Sequence, residues 1–491
     1  MSVARATLNS SLIMLFIKLV HRSIGVVSML VLARLLTPED FGIVAIASMV
    51  VFFCDILTET GTQQYVVNKN SIDDADLNTS FTLNIIFKFT IAVIFFVGSP
   101  VIATFFGKQE LDLALKVIIF ILPLSALANP GINLYKRNLN YKPIMKLLIS
   151  EKVFSFFVTM CMAIVFRNYW AMISGVVASY IYKTSGTYVI HQFRPKLSLV
   201  KVHEQWSFSQ WILLKGIVGY SKSEFDTFIV SKLFSFDAVG GFSLMKNLST
   251  LPGREIIRPV TEPLLATFSK VKDSEVELRY QVQMSLGVLL AGTIPISTFL
   301  LCFSEIVVRT LFDERWWSFA PVLGVLSVLI VNFSIISVFQ EALTAVGKVK
   351  FLFIYDLLSF VFVVVVLLLL KFDSIEQFAV SRMLISVLTI IPMVLVSFKT
   401  LSLSWKSFSQ VFLLIVVSGV FSAFFASWVG GLVSQQMYIV QLAISGISFL
   451  LVYGILFYLF ISLVPTNAIY AFRNFIFKTM KMAISMSSRN K

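Results

Sequence analysis

Apolar runs of 18 residues or more recur from one end of this chain to the other, and nothing else in it constrains the fold as strongly. A helix rises about 1.5 Å per residue, so each run is long enough to cross a hydrocarbon core of about 30 Å. Within lipid, every backbone N–H and C=O must be satisfied inside the protein, which leaves helices or a closed barrel. Barrel strands alternate apolar and polar residues over about ten positions, and these runs do not. An all-α polytopic membrane protein is therefore expected. At 57% hydrophobic and 13% charged residues over 491 positions, the chain is too apolar for a soluble domain. The first run is interrupted by charges and lacks a small-residue cleavage site, so it reads as a retained span and not as a signal peptide.

Length and hydropathy place about fourteen transmembrane helices. Their limits are at about 11–36, 41–60, 78–103, 112–129, 145–166, 169–190, 208–233, 238–262, 283–303, 318–342, 351–371, 376–398, 408–429 and 437–463. Connections are short, so neither face carries a sizeable soluble domain. Lys136, Arg137 and Lys142, then Arg194, Lys196 and Lys201, fall in loops on one side. The same side collects Lys270, Lys272, Arg279, Lys348, Lys350, Lys399, Lys406 and the basic tail. The other side holds little beyond Lys108, Arg167, Arg309, Arg315 and Lys371. Positive residues mark cytoplasmic loops, so both termini are expected inside. The same rule accounts for the net charge of +14 without a nucleic-acid partner. Cys54, Cys161 and Cys302 lie in apolar segments without metal-ligand spacing and read as packing residues.

Two turns resemble one another: Thr37-Pro38-Glu39-Asp40-Phe41-Gly42 and Ser235-Phe236-Asp237-Ala238-Val239-Gly240. Each follows a helix with charges at its centre, and an even number of spans, six, separates them. That predicts two parallel six-helix repeats related by an axis along the membrane normal, an arrangement in which a transported substrate sits between the halves. The expected bundles are residues 1–203 and 204–400. Residues 401–491 form two additional C-terminal helices and a basic cytoplasmic tail. No Asp, Glu, Lys or Arg occurs from Ser407 to Phe472, so the last two helices are expected to face lipid all round and to line a lateral path for an acyl chain.

Charge inside a span is costly, by roughly 2.5–3.5 kcal/mol per residue on insertion scales, and marks candidate functional positions. In the first span Lys18, Arg22 and Gly25 share a face at i, i+4, i+7. His21 sits off that stripe and reads as a hydrogen-bonded packing residue. In the seventh, Lys215, Lys222 and Asp226 share a face, with Glu224 on another. Lys222 and Asp226 are also spaced to pair with each other, a structural alternative. Lys246, Arg254 and Arg258 form a stripe in the eighth span, with interfacial placement as the alternative for Arg254 and Arg258. Asp55 and Glu59 share a face of the second span and, with Glu224, are the candidates for ion coupling. Lys88, Glu151, Lys152, Lys183, Asp356 and Arg382 are further charges within spans, while Arg34 and Lys232 at helix ends read as snorkelling anchors. Cations outnumber anions in this set. A water-filled cavity lined in that way suits an anionic substrate, because cations offset the desolvation of phosphate. No nucleotide-binding loop, phosphate-cradling glycine cluster or zinc motif appears, so no cofactor is expected. The longest outer loop, residues 304–317, reads as a solvated surface turn with Arg309, Asp313, Glu314 and Arg315. It is too short for a catalytic loop, which argues against a membrane glycan polymerase and against an enzyme.

Arg34-Leu35-Leu36-Thr37-Pro38-Glu39-Asp40-Phe41-Gly42, with a second span ending at Gly61, resembles the opening of bacterial Wzx-type polysaccharide transporters. These are the flippases of O-antigen, colanic acid and teichuronic acid pathways, within the multidrug/oligosaccharidyl-lipid/polysaccharide exporter superfamily. Phe225-Asp226-Thr227-Phe228-Ile229-Val230, Leu233, Gly240, Pro252 and the basic loop after Phe268 resemble that family's seventh and eighth helices. Phe236 and Val239-Gly240-Gly241 stand where its turn is usually glycine-rich. The resemblance extends over essentially the whole chain. It implies a flippase of the inner membrane that moves undecaprenyl-pyrophosphate-linked oligosaccharide by alternating access, with membrane lipid, a polysaccharide polymerase and a chain-length regulator as partners. A multidrug or cation antiporter of the same superfamily is the alternative.

Overall fold

The computed structural model describes residues 3–59, 61–69, 71–463 and 469–475, and within them regular structure is helical throughout. The helices are α1 (Val3–Leu35), α2 (Pro38–Leu57), α3 (Thr62–Asn68), α4 (Asp74–Phe106), α5 (Glu110–Ile118), α6 (Ile121–Ala126), α7 (Ile132–Arg137), α8 (Lys142–Phe166), α9 (Trp170–Ile190), α10 (Val202–Leu233) and α11 (Phe236–Thr261). They continue with α12 (Leu264–Val271), α13 (Glu275–Leu311), α14 (Ala320–Ala345), α15 (Val349–Leu369), α16 (Ile375–Thr400), α17 (Trp405–Leu432) and α18 (Tyr438–Leu463). The chain is an all-α polytopic membrane protein. Ten of the described helices are long and apolar enough to span. The expected span at about 112–129 is divided between the short α5 and α6, and α9, α10 and α11 carry many polar side chains and also fall outside the ten.

Local chemistry sets the helix ends. The Thr37 hydroxyl accepts from the Asp40 N–H at 3.2 Å and the Asp40 carboxylate accepts from the Thr37 N–H at 2.9 Å, a reciprocal cap with Pro38 at the first position of α2. The second Asp40 oxygen takes the Tyr169 N–H at 2.9 Å, tying this corner to the start of α9. Asp73 caps α4 in the same way through Asp76, and Gly107 closes α4 in the left-handed region at φ 78°.

The chain divides into two compact units between Ser243 and Leu244, within α11. In the first, α8 packs between α1 and α9, α2 packs on α5 and α10, and α4 lies on α5 and α6. Connecting segments meet at two ends of this unit. At one end, Glu39 pairs with Lys108, Lys108 lies over the Phe236 ring at 4.1 Å, and the Lys232 ammonium donates to the Phe105 carbonyl at 2.8 Å. At the other, Arg137 donates to the Val66 carbonyl at 2.7 Å, and the Lys201 N–H to Thr79 at 3.2 Å.

In the second unit α13 and α14 form the centre, with α16 on α14 and α17 on α13. Apolar burial provides no driving force between helices in lipid, so close packing must hold them. The structure corrects the expectation that the last two helices face lipid all round. Ser418, Gly419, Ser422, Ala423 and Ala426 make a buried stripe of small residues on α17, and the Tyr453 hydroxyl of α18 donates to the Ala291 carbonyl of α13 at 2.8 Å. Phe472 is fully buried against Gly287, where a Cβ would lie 2.7 Å from its ring. Two further expectations change. Arg309 belongs to α13 and stacks over Trp317 and Tyr438, and Trp316 is fully buried, so the expected outer loop is part helix and packs inward through its tryptophan, while Glu314 and Arg315 stay exposed as a solvated turn requires. Of the cysteines only Cys54 is buried; Cys161 and Cys302 are exposed.

Candidate functional site

The first unit holds a polar interior where an apolar bundle would be cheapest. Asp55 lies near the end of α2, and Lys88 sits mid-way along α4. The Lys88 ammonium is 2.7 Å from Asp55 Oδ1 and also donates to the Ser125 hydroxyl of α6 at 2.9 Å. Two elements therefore engage this intramembrane cation, Asp55 neutralising it and Ser125 completing its hydrogen bonding, as buried charge in a low-dielectric setting requires. One turn beyond Asp55, Glu59 faces a cavity of about 180 Å³, whose wall includes Thr62, Asn84, Lys88, Ser125, Asn129 and Asn133. Asn84 donates to the Thr62 hydroxyl at 3.1 Å, and Lys136 donates to Gln63 at the rim at 2.6 Å.

The end of the unit nearest this cavity is held by two polar clusters. Asp76, 1% exposed, accepts from Lys69 at 2.7 Å and from the Tyr65 hydroxyl at 2.8 Å, and Lys69 also bridges to Glu204 of α10 at 2.9 Å. Burial works against the Lys69 ammonium, but its bonds to Asp76, Tyr65 and Glu204 outweigh that and raise its pKa. Burial pushes the Tyr65 hydroxyl up to about 12. The second cluster pins the chain after α9. Asn129 donates to the Phe193 carbonyl at 2.7 Å, its side-chain oxygen accepts from the Gly131 N–H at 2.9 Å, and Tyr135 donates to the Ile190 carbonyl at 2.7 Å. His191 Nδ1 accepts from the Phe193 N–H at 3.1 Å, which requires that nitrogen unprotonated.

Burial, with Arg194 adding to it, lowers the His191 pKa. A histidine whose folded pKa is depressed takes its proton first in the unfolded state, so stability falls as pH drops through the ordinary value of about 6.5. The thermal midpoint is expected to decline between about pH 7 and pH 5, and less steeply in His191→Gln, as measured in detergent by differential scanning fluorimetry. Equal slopes in the two proteins would refute this.

At the opposite end the two similar turns meet. A Cβ on Gly42 would lie 2.0 Å from the Phe236 carbonyl oxygen, and one on Gly240 would lie 1.8 Å from the Pro38 carbonyl oxygen. Pro38 and Phe236 hold the same place in the two turns, as do Gly42 and Gly240. The contact is therefore reciprocal.

The charged positions singled out in the sequence are distributed as follows. Lys18 and Lys222 are exposed, Arg22 and Glu224 are half-buried, and Asp226 is buried. Lys246, in the second unit, is half-buried, whereas the side chains of Lys215, Arg254 and Arg258 lie outside the described residues. His21 bonds the Leu148 carbonyl of α8 at 2.9 Å, a packing role. Of the coupling candidates, Asp55 is engaged with Lys88, while Glu59 opens on the cavity. Sequence reasoning noted Lys88 as a charge within a span without finding its partner. Asn84, a neutral amide within the expected span 78–103, and Asn133, in a short connection between spans, carry no charge to mark them in the sequence.

Residues 31–321 match the family described as polysaccharide biosynthesis protein. Over 314 residues the chain is 23% identical to the lipopolysaccharide biosynthesis protein WzxC of Escherichia coli (strain K12), covering 62% of this chain and 63% of that protein. It is likewise 23% identical over 331 residues to the succinoglycan biosynthesis transport protein ExoT of Rhizobium meliloti (strain 1021), 67% of each. The chain thus spans less than two thirds of the first relative's length. Among solved structures, it superposes on the lipid II flippase MurJ with a TM-score of 0.71 at 13% identity, covering 91% of this chain and 98% of that one. An inward-facing MATE family multidrug resistance transporter of the MOP superfamily gives 0.58 at 11% identity, covering 77% and 94%. At those identities the likeness is one of fold. The family match runs from within α1 to the start of α14, more than half of the chain. This chain belongs to the polysaccharide biosynthesis protein family, that of the Wzx-type polysaccharide transporters which its opening turn resembles.

Proposed function

We propose that this protein is a flippase, not an enzyme, that moves undecaprenyl-pyrophosphate-linked oligosaccharide repeat units across the bacterial inner membrane by alternating access. It would thereby supply surface polysaccharide synthesis. The observation that carries this reading is the polar interior of the first unit, where Lys88, Asp55 and Ser125 join within the span region beside an open cavity. A bundle that only anchored other proteins would gain nothing from that arrangement, since apolar replacements there would cost less. Family membership supports the substrate class, and the reciprocal contact of the two turns supports parallel repeats over about residues 1–203 and 204–400. In this proposal both termini are cytoplasmic. Lys18, Arg22, Lys222, Asp226, Lys246, Arg254 and Arg258 receive the pyrophosphate-bearing head of the substrate, and Asp55, Glu59 and Glu224 are candidates for coupling. A polymerase and a chain-length regulator take up the product.

Arg22→Ala and Lys222→Ala are expected to abolish surface polysaccharide while membrane levels of the protein stay normal, as scored by gel analysis of extracted glycan against immunoblots. Normal glycan in both well-expressed variants would exclude the cavity role of these cations. The fold shared with a MATE family transporter favours one other reading, multidrug export. In that case expression would raise drug tolerance and leave surface glycan unchanged.

A further inference from the structure

We propose that the cavity beneath the Lys88–Asp55 pair is a subsite for a single neutral pyranose ring, so that the first unit reads one sugar of the cargo apart from its phosphates. This inference rests on the transport reading and gives it a place of sugar recognition. Two groups on the cavity wall retain hydrogen-bonding capacity. Among the described residues neither the Glu59 carboxylate nor the Asn133 side chain has a hydrogen-bond or ion-pair partner, and Asn133 is only 8% exposed. The polar atoms of that largely buried amide open on the cavity, where a ligand or water can complete them. The neighbouring Asn129, by contrast, is fully used in holding the chain after α9 and forms a rigid wall.

The wall is also two-faced. Ala128, Pro130 and Ile132 supply apolar surface, while Glu59, Asn84 and Asn133 supply acceptors and donors. A pyranose has the matching halves: C–H groups on one face and hydroxyls around its edge, with a carboxylate able to accept two adjacent hydroxyls at once. At about 180 Å³ the cavity lies below the roughly 300–1,000 Å³ of sites for drug-sized ligands, so it suits one ring and not an oligosaccharide. Charge decides between ring types. Asp55 neutralises Lys88, so Glu59 is the wall charge left to face a ligand and repels a uronate or a phosphate placed against it, while the Lys136 ammonium at the rim is turned to Gln63. A divalent cation is disfavoured as occupant, because it needs six or more closely placed oxygens and no group of three acidic, His or Cys side chains gathers among the described residues.

The test uses the purified full-length protein in nanodiscs, with saturation-transfer NMR of methyl pyranosides: neutral glucoside, galactoside, mannoside and N-acetylglucosaminide, and the glucuronide. Saturable millimolar binding of at least one neutral pyranoside is expected, with none of the glucuronide. Glu59→Gln and Asn133→Ala should each weaken it about tenfold while elution profile and thermal midpoint stay near wild type. Absence of saturable binding by every neutral pyranoside, or binding that both variants leave unchanged, would overturn the subsite. So would a sodium-dependent rise in thermal midpoint that Glu59→Gln abolishes, since it would make this a cation site. Movement of lipid-linked oligosaccharide in proteoliposomes separates this inference from the reading beneath it. Neutral-pyranoside binding without such movement supports the subsite and removes flipping, whereas normal movement in both variants removes the subsite and leaves flipping intact.

Discussion

Alanine at Gly240 is expected to cut surface polysaccharide to about a tenth or less while the protein still reaches the membrane. A Cβ there would sit 1.8 Å from the Pro38 carbonyl oxygen and 2.8 Å from the Gly42 backbone nitrogen. Both obstacles are main chain, and no rotamer change can relieve them. The N-termini of α2 and α11 must separate, at the cost of about 1–3 kcal/mol that overpacking exacts. In a transporter that alternates between two states, a contact made in only one of them converts that same 1–3 kcal/mol into a roughly 5- to 150-fold shift of the equilibrium. Gly42→Ala should behave alike, because its Cβ would meet the Phe236 carbonyl oxygen at 2.0 Å. Gly98→Ala and Gly431→Ala are the controls, since nothing lies within 4 Å of either new methyl group. Wild-type export by the Gly42 and Gly240 variants would show that the contact has no part in transport.

Lys88→Ala carries the second large effect. It removes the cation facing Asp55 and leaves a carboxylate in the membrane interior with its partner gone. Loss of one member of a buried pair costs about 3–5 kcal/mol; with Asp55 31% exposed, roughly 2–4 kcal/mol is expected here. The thermal midpoint in detergent should fall by several degrees and transport should be lost. Asp55→Asn in the same chain should recover most of the stability, because an amide without its cation is far cheaper to bury than a carboxylate. A double variant no more stable than Lys88→Ala would mean that the pair contributes nothing through its charge.

Much of this was readable from residue order. Runs of 18 or more apolar residues announce spanning helices because lipid offers the backbone no other partner. The Thr37-Pro38-Glu39-Asp40 cap closes its hydrogen bonds within four residues and starts α2 at Pro38, ahead of the limit of about 41 that hydropathy gives. His21 was read as a packing residue from its position off the charged stripe, and it bonds Leu148. Misreadings arose where distant segments meet. The stretch from Ser407 to Phe472 has no charge, which suggested helices surrounded by lipid, but the serines and glycine of α17 allow close approach to α13. In residues 304–317 the charges of Glu314 and Arg315 are exposed as expected, yet Arg309 stacks on Trp317 and Trp316 is buried, contacts that the charge pattern does not reveal.

Residue order is enough to make the chain a helical membrane protein and to show that its two turns resemble one another. Those properties follow from backbone satisfaction in lipid and from the likeness of two short patterns. Only the folded chain shows that the two similar turns touch through Gly42 and Gly240, which of several charges is the partner of Asp55, and that Glu59 and Asn133 share a wall. Lys88 lies 33 positions from Asp55, and Asn133 lies 74 from Glu59. No periodicity of one helix reaches that far, so only the packing of α2, α4, α6 and α7 could bring them together.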